Sequence, residues 1–209
     1  MTLQAQGLTC TRGARTLFRA LDLMVTPGDA LRIAGANGSG KTTLLRIVAG
    51  LLQPDQGQVC WNADPIDQQR DQFHGQLAYI GHLHGIKSDL TPYENLHFST
   101  ALSGRRVAAA AIYQALDQAG LDALADRPCR TLSQGQKRRV ALTRLQFCLA
   151  MPLWILDEPL SALDVVAQRQ LTDLLERHLA GNGMLIYSTH QDLPLTTRSH
   201  RVIDLDASC

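Results

Sequence analysis

No stretch of this 209-residue chain is long and apolar enough to cross a bilayer. The longest apolar run, "FCLAMPLWIL" (Phe147 to Leu156), is broken by Pro152 and falls far short of the roughly 20 residues a spanning helix needs. Any membrane role therefore requires a partner. Neither sign of charge is in excess: 20 Lys plus Arg stand against 19 Asp plus Glu, which removes the basic footprint of a nucleic-acid binder. The one basic run, "KRR" (Lys137 to Arg139), sits in an amphipathic helical pattern and reads as a solvated helix face. Cysteines are few and dispersed (Cys10, Cys60, Cys129, Cys148 and Cys209), with no CxxC, no zinc-like spacing and no CxxCH. That excludes a zinc ribbon and a covalently attached haem, and reads as reduced thiols in a cytosolic protein. The N-terminus "MTLQAQGLTC" lacks a charged flank followed by an apolar core, so no signal peptide is expected. Repeats and low-complexity tracts are also missing. What is present, 45% hydrophobic and 19% charged residues, suits a folded globular protein with one substantial domain.

Within that domain, short apolar runs alternate with helical periodicity. "ALRIAG" (Ala30 to Gly35) is a buried strand feeding a glycine loop, and "TTLLRIVAGLL" is helical up to Gly50. Strands follow at "GQVCW" and "LAYIG". Then come helices at "TPYENLHFSTAL", with Pro92 in the first turn, and "RVAAAAIYQALDQAGL". "SQGQKRRVALTRLQFCLA" is a further helix opened by Ser133 as N-cap. "LWILDE" is a buried strand, "ALDVVAQRQLTDLLERHLAG" a long helix, and "GMLIYSTH" and "RVIDLD" closing strands. Strand–helix alternation at both ends predicts a mostly parallel sheet with right-handed crossovers. The residues before Ala30 alternate like antiparallel strands. From about 85 to 146, helix signals occur without strands, as expected of a helical subdomain inserted in a single 1–209 domain.

The glycine loop is the most informative segment. "GANGSGKTT" comprises Gly35, Ala36, Asn37, Gly38, Ser39, Gly40, Lys41, Thr42 and Thr43; it fits GxxxxGK[ST] and lies between a strand and a helix. The fold expected is thus the α/β P-loop NTPase. Such a loop turns its backbone N–H groups toward phosphate oxygens at a helix N-terminus. Lys41 would reach the β- and γ-phosphates of a nucleotide such as ATP, and the Thr42 hydroxyl would hold Mg²⁺. "LWILDEP" delivers two carboxylates at the C-terminal edge of a strand, where ligands bind in open α/β sheets. Asp157 would orient Mg²⁺, and Glu158 would polarise the water attacking the γ-phosphate. Alone, a DE pair commonly just caps a strand.

Together with these two motifs, "LSQGQ" (Leu132 to Gln136), "SALD" (Ser161 to Asp164) and "STH" (Ser188 to His190) resemble the ATP-binding cassette family, in the family's order and over essentially the whole chain. The resemblance implies a homodimer closing head to tail around two ATP molecules. Ser133, Gly135 and Gln136 would contact the nucleotide held by the other cassette, Asp164 would communicate between sites, and His190 would bond the γ-phosphate. Three positions depart from the family's pattern. Gln134 replaces a glycine. Arg12 stands where an aromatic residue stacks on adenine, and reads either as a guanidinium lying on the base or as a solvated loop residue. His82 stands where a glutamine links Mg²⁺ to the membrane subunit.

His82 belongs to "YIGHLHGIK", whose two histidines, His82 and His84, also raise a metal or haem ligand pair. Further ligands nearby are lacking for that, and His84 reads as a structural histidine. "GHLHGIK…LTPYENLHF", "TLFRALDL" and "RRVALTRL…LWILDEPLSALD" most resemble the ATP-binding subunits of haem exporters in bacterial cytochrome c maturation. This implies integral membrane partner subunits, a periplasmic haem chaperone served indirectly, and a place on the cytoplasmic face of the inner membrane. A cassette serving another substrate, or a soluble cassette acting on DNA, ribosomes or protein assembly, are the alternatives. The second is disfavoured by the lack of a basic patch or coiled-coil insertion.

Overall fold

The computed structural model describes residues 1–83, 85–190, 193 and 195–206; His84 and Cys209 lie outside them. The chain opens with β1 (Leu3–Arg12) and β2 (Arg15–Val25), followed by β3 (Asp29–Ala34), α1 (Lys41–Val48), β4 (Gln56–Trp61) and the two-residue β5 (Asp64–Pro65). Then come α2 (Arg70–His74), β6 (Leu77–Ile80), α3 (Pro92–Leu102), α4 (Ala109–Gln118) and α5 (Gln134–Thr143). The remainder is β7 (Leu153–Asp157), α6 (Val165–Ala180), β8 (Met184–Ser188) and β9 (Ser199–Asp204). Two sheets result: an antiparallel one in the order β2-β1-β4-β5, and one in the order β6-β7-β8-β3-β9 whose pairings are all parallel. The expected fold class is borne out.

The inner strands β7 and β8 are buried along their whole length, and period-2 alternation sends their side chains into two cores, whereas the edge strand β9 is mostly exposed. Leu153 and Ile155 of β7 join the cluster built with α1 and the antiparallel sheet. Trp154 and Leu156, one residue out of phase, join the cluster under α6. Between β6 and β7, helices α3 to α5 form a third cluster around Leu96, Ile112, Leu116 and Val140. A capping box starts α3: Glu94 N donates to Thr91 Oγ1 (3.1 Å) and Thr91 N to Glu94 Oε2 (2.8 Å).

Local chemistry moves three expected boundaries. The helix expected through Ala150 stops at Thr143 and tightens into a 3₁₀ turn over Arg144–Phe147. There the Thr143 hydroxyl donates to the Arg139 carbonyl at 2.8 Å, the back-bonding that bends helices. The helix expected from Ala162 starts at Val165, because Asp164 Oδ1 accepts the Ala167 N–H (2.8 Å) as its N-cap. Helix α2 was not expected, its 5 residues being too short to show a period. All four described cysteines carry free thiols.

On α6, His178 lies under the sheet, stacked on Trp154 at 3.9 Å with rings 7° apart. Its Nε2 donates to the Met184 carbonyl at 3.2 Å. Burial lowers its pKa from 6.5 to about 4, so the neutral ring is the folded form. A pKa depressed by folding gives stability that is complete above the unfolded value near 6.5 and lost as pH falls toward 4. The shift is worth about 3 kcal/mol. His178→Gln keeps a donor for Met184 but cannot titrate. Melting temperatures between pH 7 and pH 4 should therefore fall less steeply for the variant than for the native chain; parallel slopes would count against this origin.

Candidate functional site

Parallel strands place the loops after β3, β6, β7 and β8 at one edge of the sheet, where ligands bind in open α/β folds. They enclose a cleft of about 470 Å³ lined by the phosphate loop (Asn37, Gly38, Gly40, Lys41, Thr42, Thr43), Leu17, His82, Asp157, Glu158, Ser161 and His190. Gly40 is the N-cap of α1 in left-handed backbone (φ 108°), and a Cβ there would press on Leu17 at 3.1 Å. On Gly35 (φ 136°) a Cβ would lie 2.6 Å from Ser39 Oγ. These two positions require glycine. Lys41 is buried, its Nζ donating to the loop's own carbonyls at Gly35 (2.7 Å) and Ala36 (3.0 Å). The Ala36 N–H donates to Asp206 Oδ2 at 2.7 Å.

Opposite the loop, Asp157 is fixed through both oxygens: Thr42 Oγ1 donates to Oδ2 and Ser188 Oγ to Oδ1, each at 2.7 Å. Ser188 Oγ also accepts the Glu158 N–H at 2.9 Å. Glu158 itself has left-handed backbone (φ 50°), which costs a non-glycine residue roughly 1–3 kcal/mol and collects at working sites. This turn aims the Glu158 carboxylate into the cleft, with Oε1 3.4 Å from His190 Nε2. The same His190 nitrogen is 3.5 Å from Lys41 Nζ. Exposed His82 lines the cleft from the β6 side.

Four residues read as site members stand elsewhere. Arg12 is exposed at the end of β1 and is not among the lining residues. Its hairpin partner Arg15 comes near the loop instead, with Nη1 3.9 Å from where a Gly38 Cβ would be. Ser133, Gly135 and Gln136 are outside the cleft as well. As expected, Ser133 is the N-cap of α5, in a capping box with Gln136. Gln134 occupies the first helical position without left-handed backbone, so a side chain fits there. Gly135 is the constrained position, since a Cβ would sit 2.5 Å from the Ala162 carbonyl oxygen.

The basic run needs a correction. Arg138 is not on a solvated face: it is 1% exposed, and its guanidinium donates to the carbonyls of Gly81 (3.0 Å), Asp157 (2.7 Å) and Glu158 (2.8 Å). Nothing in the local pattern separates it from Lys137 and Arg139. Ser188 was also given no role of its own, although a hydroxyl ending the apolar strand "MLIYS" was a usable signal.

The chain belongs to the ABC transporter family, whose family model matches residues 18–161, and it is an ATP-hydrolysing cassette of that family. The "Cytochrome c biogenesis ATP-binding export protein CcmA" of Yersinia pseudotuberculosis is 48% identical over 203 residues, covering 97% of this chain and 92% of that one. The protein of the same name from Aromatoleum aromaticum is 48% identical over 192 residues, 92% and 90% of the two chains. Among solved structures, a putative ABC transporter ATP-binding protein from Pyrococcus furiosus shares the fold at TM-score 0.82 and 22% identity, over 100% of this chain and 99% of that one. So does a dimeric ATP-binding cassette in a post-hydrolysis state bound to ADP and Pi (TM-score 0.77, 23% identity, 90% and 88% of the chains).

Proposed function

We propose that the chain hydrolyses MgATP in this cleft as the ATP-binding subunit of a membrane complex that exports or delivers haem for cytochrome c biogenesis. The observation that carries this reading is the 48% identity, across nine-tenths or more of both chains, with proteins named for ATP-binding export in that process. We read residues 1–209 as one cassette in which 85–146 form the inserted helical subdomain. The cleft suits a nucleotide triphosphate. Among the described residues buried Ser39 Oγ has no hydrogen-bond partner, and the loop has no room for a Cβ at Gly35. Lys41 Nζ would exchange the loop carbonyls for the β- and γ-phosphates. Thr42 and Asp157 offer hard oxygen donors for Mg²⁺. Bound on these two oxygens, Mg²⁺ would take its other ligands from phosphate and water. Once bound there, Mg²⁺ would neutralise charge on the phosphate oxygens. The Glu158 carboxylate takes the proton of the attacking water, and His190 holds that water's geometry against the γ-phosphate.

Ser133, Gly135 and Gln136, outside their own chain's cleft, favour a head-to-tail homodimer in which each signature segment serves the other copy's γ-phosphate. No described helix is long and apolar enough to cross a membrane. By their likeness to proteins named for export in cytochrome c biogenesis, the cassettes would work beneath integral membrane subunits on the cytoplasmic face of the bacterial inner membrane, serving a periplasmic haem chaperone only indirectly. Affinity purification from membranes tests this. Integral subunits and haem absorbance should co-purify with the tagged chain, whereas partners of another transport system, without haem, would replace the haem reading.

His82 faces the same cleft, and we assign it the water- or phosphate-contacting role that the family gives a glutamine. Losing one such hydrogen bond costs about 0.5–1.5 kcal/mol, or about 2–10-fold in rate. His82→Ala should lower ATPase activity by that factor at unchanged nucleotide affinity, and His82→Gln should restore most of it. Steady-state rates and nucleotide titration decide; a glutamine variant as poor as alanine would sink the assignment.

A further inference from the structure

We propose that Arg138 is a positioning residue for hydrolysis, locking the Glu158 peptide and the base of the His82 loop to the helix that carries the signature segment. The inference rests on the cleft being the ATP site. Its guanidinium leaves α5 one turn after the N-cap Ser133 and meets the C-terminal ends of two strands at once. One Nη donates to the Gly81 carbonyl, immediately before His82, and the other is shared by the Asp157 and Glu158 carbonyls. The planar fork suits this task, because two nitrogens in fixed geometry hold three acceptors in one arrangement. Lysine has one nitrogen to offer.

Such a cation is costly to keep inside. Burial pushes the Arg138 pKa down, and the Asp157 and Glu158 carboxylates act against that. Its two Nη groups donate to the three carbonyls, hydrogen bonds of the kind that offset the burial of a charge. What the contact holds in place is unusual backbone. Glu158 is in the left-handed region (φ 50°), with its N–H on Ser188 Oγ and its carbonyl on Arg138. Serine and arginine thus grip the two sides of the residue whose carboxylate faces the cleft. A second guanidinium from the same segment strengthens the link: Arg144 donates to the Tyr79 carbonyl at 3.3 Å. Displacement of α5, whose N-terminus lies outside the cleft, is therefore passed to Glu158 through Arg138, and to the strand end before His82 through Arg138 and Arg144 together.

The test compares Arg138→Lys, Arg138→Gln and Arg138→Met in the full chain. Three quantities are measured: turnover at saturating MgATP, nucleotide affinity by titration, and melting temperature. Misplacing a reacting group by about 1 Å can cost up to about a hundredfold in rate. Turnover should therefore fall at least roughly tenfold in Gln and Met, with Lys retaining more, while affinity stays within about twofold because Lys41 and the phosphate loop are untouched. The selective loss of turnover, with partial recovery by lysine, separates positioning from bulk structure. Native turnover in folded Gln and Lys variants would overturn the proposal. So would losses of turnover, affinity and melting temperature in step, or failure of all three variants to fold. Should Met alone misfold, Lys and Gln decide. A native chain that binds no MgATP would overturn the reading of the cleft itself, a result distinct from native-like variants.

Discussion

Glu158→Gln should lower steady-state ATP hydrolysis by about 10²–10⁴-fold, the range general-base catalysis contributes, while nucleotide affinity stays close to native. Glutamine is nearly isosteric and keeps an oxygen beside His190, but its amide cannot take a proton from water. The groups assigned to bind the phosphates and Mg²⁺ are elsewhere: Lys41 at the start of α1, and Thr42 and Asp157 bonded to each other at 2.7 Å. Binding without turnover should accumulate the ATP-bound state. If each nucleotide is sandwiched between one copy's phosphate loop and the other's signature segment, that state is a dimer. Size-exclusion chromatography with MgATP should then shift Glu158→Gln, but not the native chain, to twice the monomer mass. Turnover near the native rate in this variant would remove Glu158 from the role of base.

Lys41→Ala is expected to act at the binding step. A hydrogen bond to a charged group is worth about 1.5–3 kcal/mol, so losing this cation from the phosphates should weaken MgATP binding roughly 10–100-fold. Turnover should fall with it, since the same charge opposes the negative charge at the γ-phosphate in the transition state. Little instability should follow, because the polar contacts of its Nζ are two loop carbonyls and His190 Nε2, all at the cleft. Calorimetric titration of the two chains measures the difference. Equal affinities would place the phosphates elsewhere than on this loop.

Much of this was legible in the sequence because the responsible physics is local. A loop that must turn its amides outward needs glycine where φ is positive, and Gly35, Gly38 and Gly40 have that backbone. A strand covered on both faces must be apolar along its length, and "LWIL" announced β7 without any knowledge of its neighbours. Ser133 announced the start of α5 as its N-cap, because a cap is made within the first turn; the structure adds Gln136 to complete a capping box. Strand–helix alternation gave the parallel sheet, and with it the shared edge at which the loops after β3, β7 and β8 had to meet.

Tertiary structure decided what depends on partners far apart in the chain. Arg138 and Arg139 are adjacent in sequence and the same in charge. Only the packing of α5 against the ends of β6 and β7 buries the first on three carbonyls, while Arg139 stays at the edge, 3.8 Å from Asp164. A hydroxyl at the end of β8 marks Ser188 in the sequence, but its partner, an aspartate 31 positions away, is set by the pairing of β7 with β8. Arg12 and Arg15 could be told apart only once the β1–β2 hairpin had brought Arg15 to the phosphate loop. Backbone turns and apolar alternation are written residue by residue. The burial of a charge and the aim of a carboxylate depend on which strand ends the fold brings side by side.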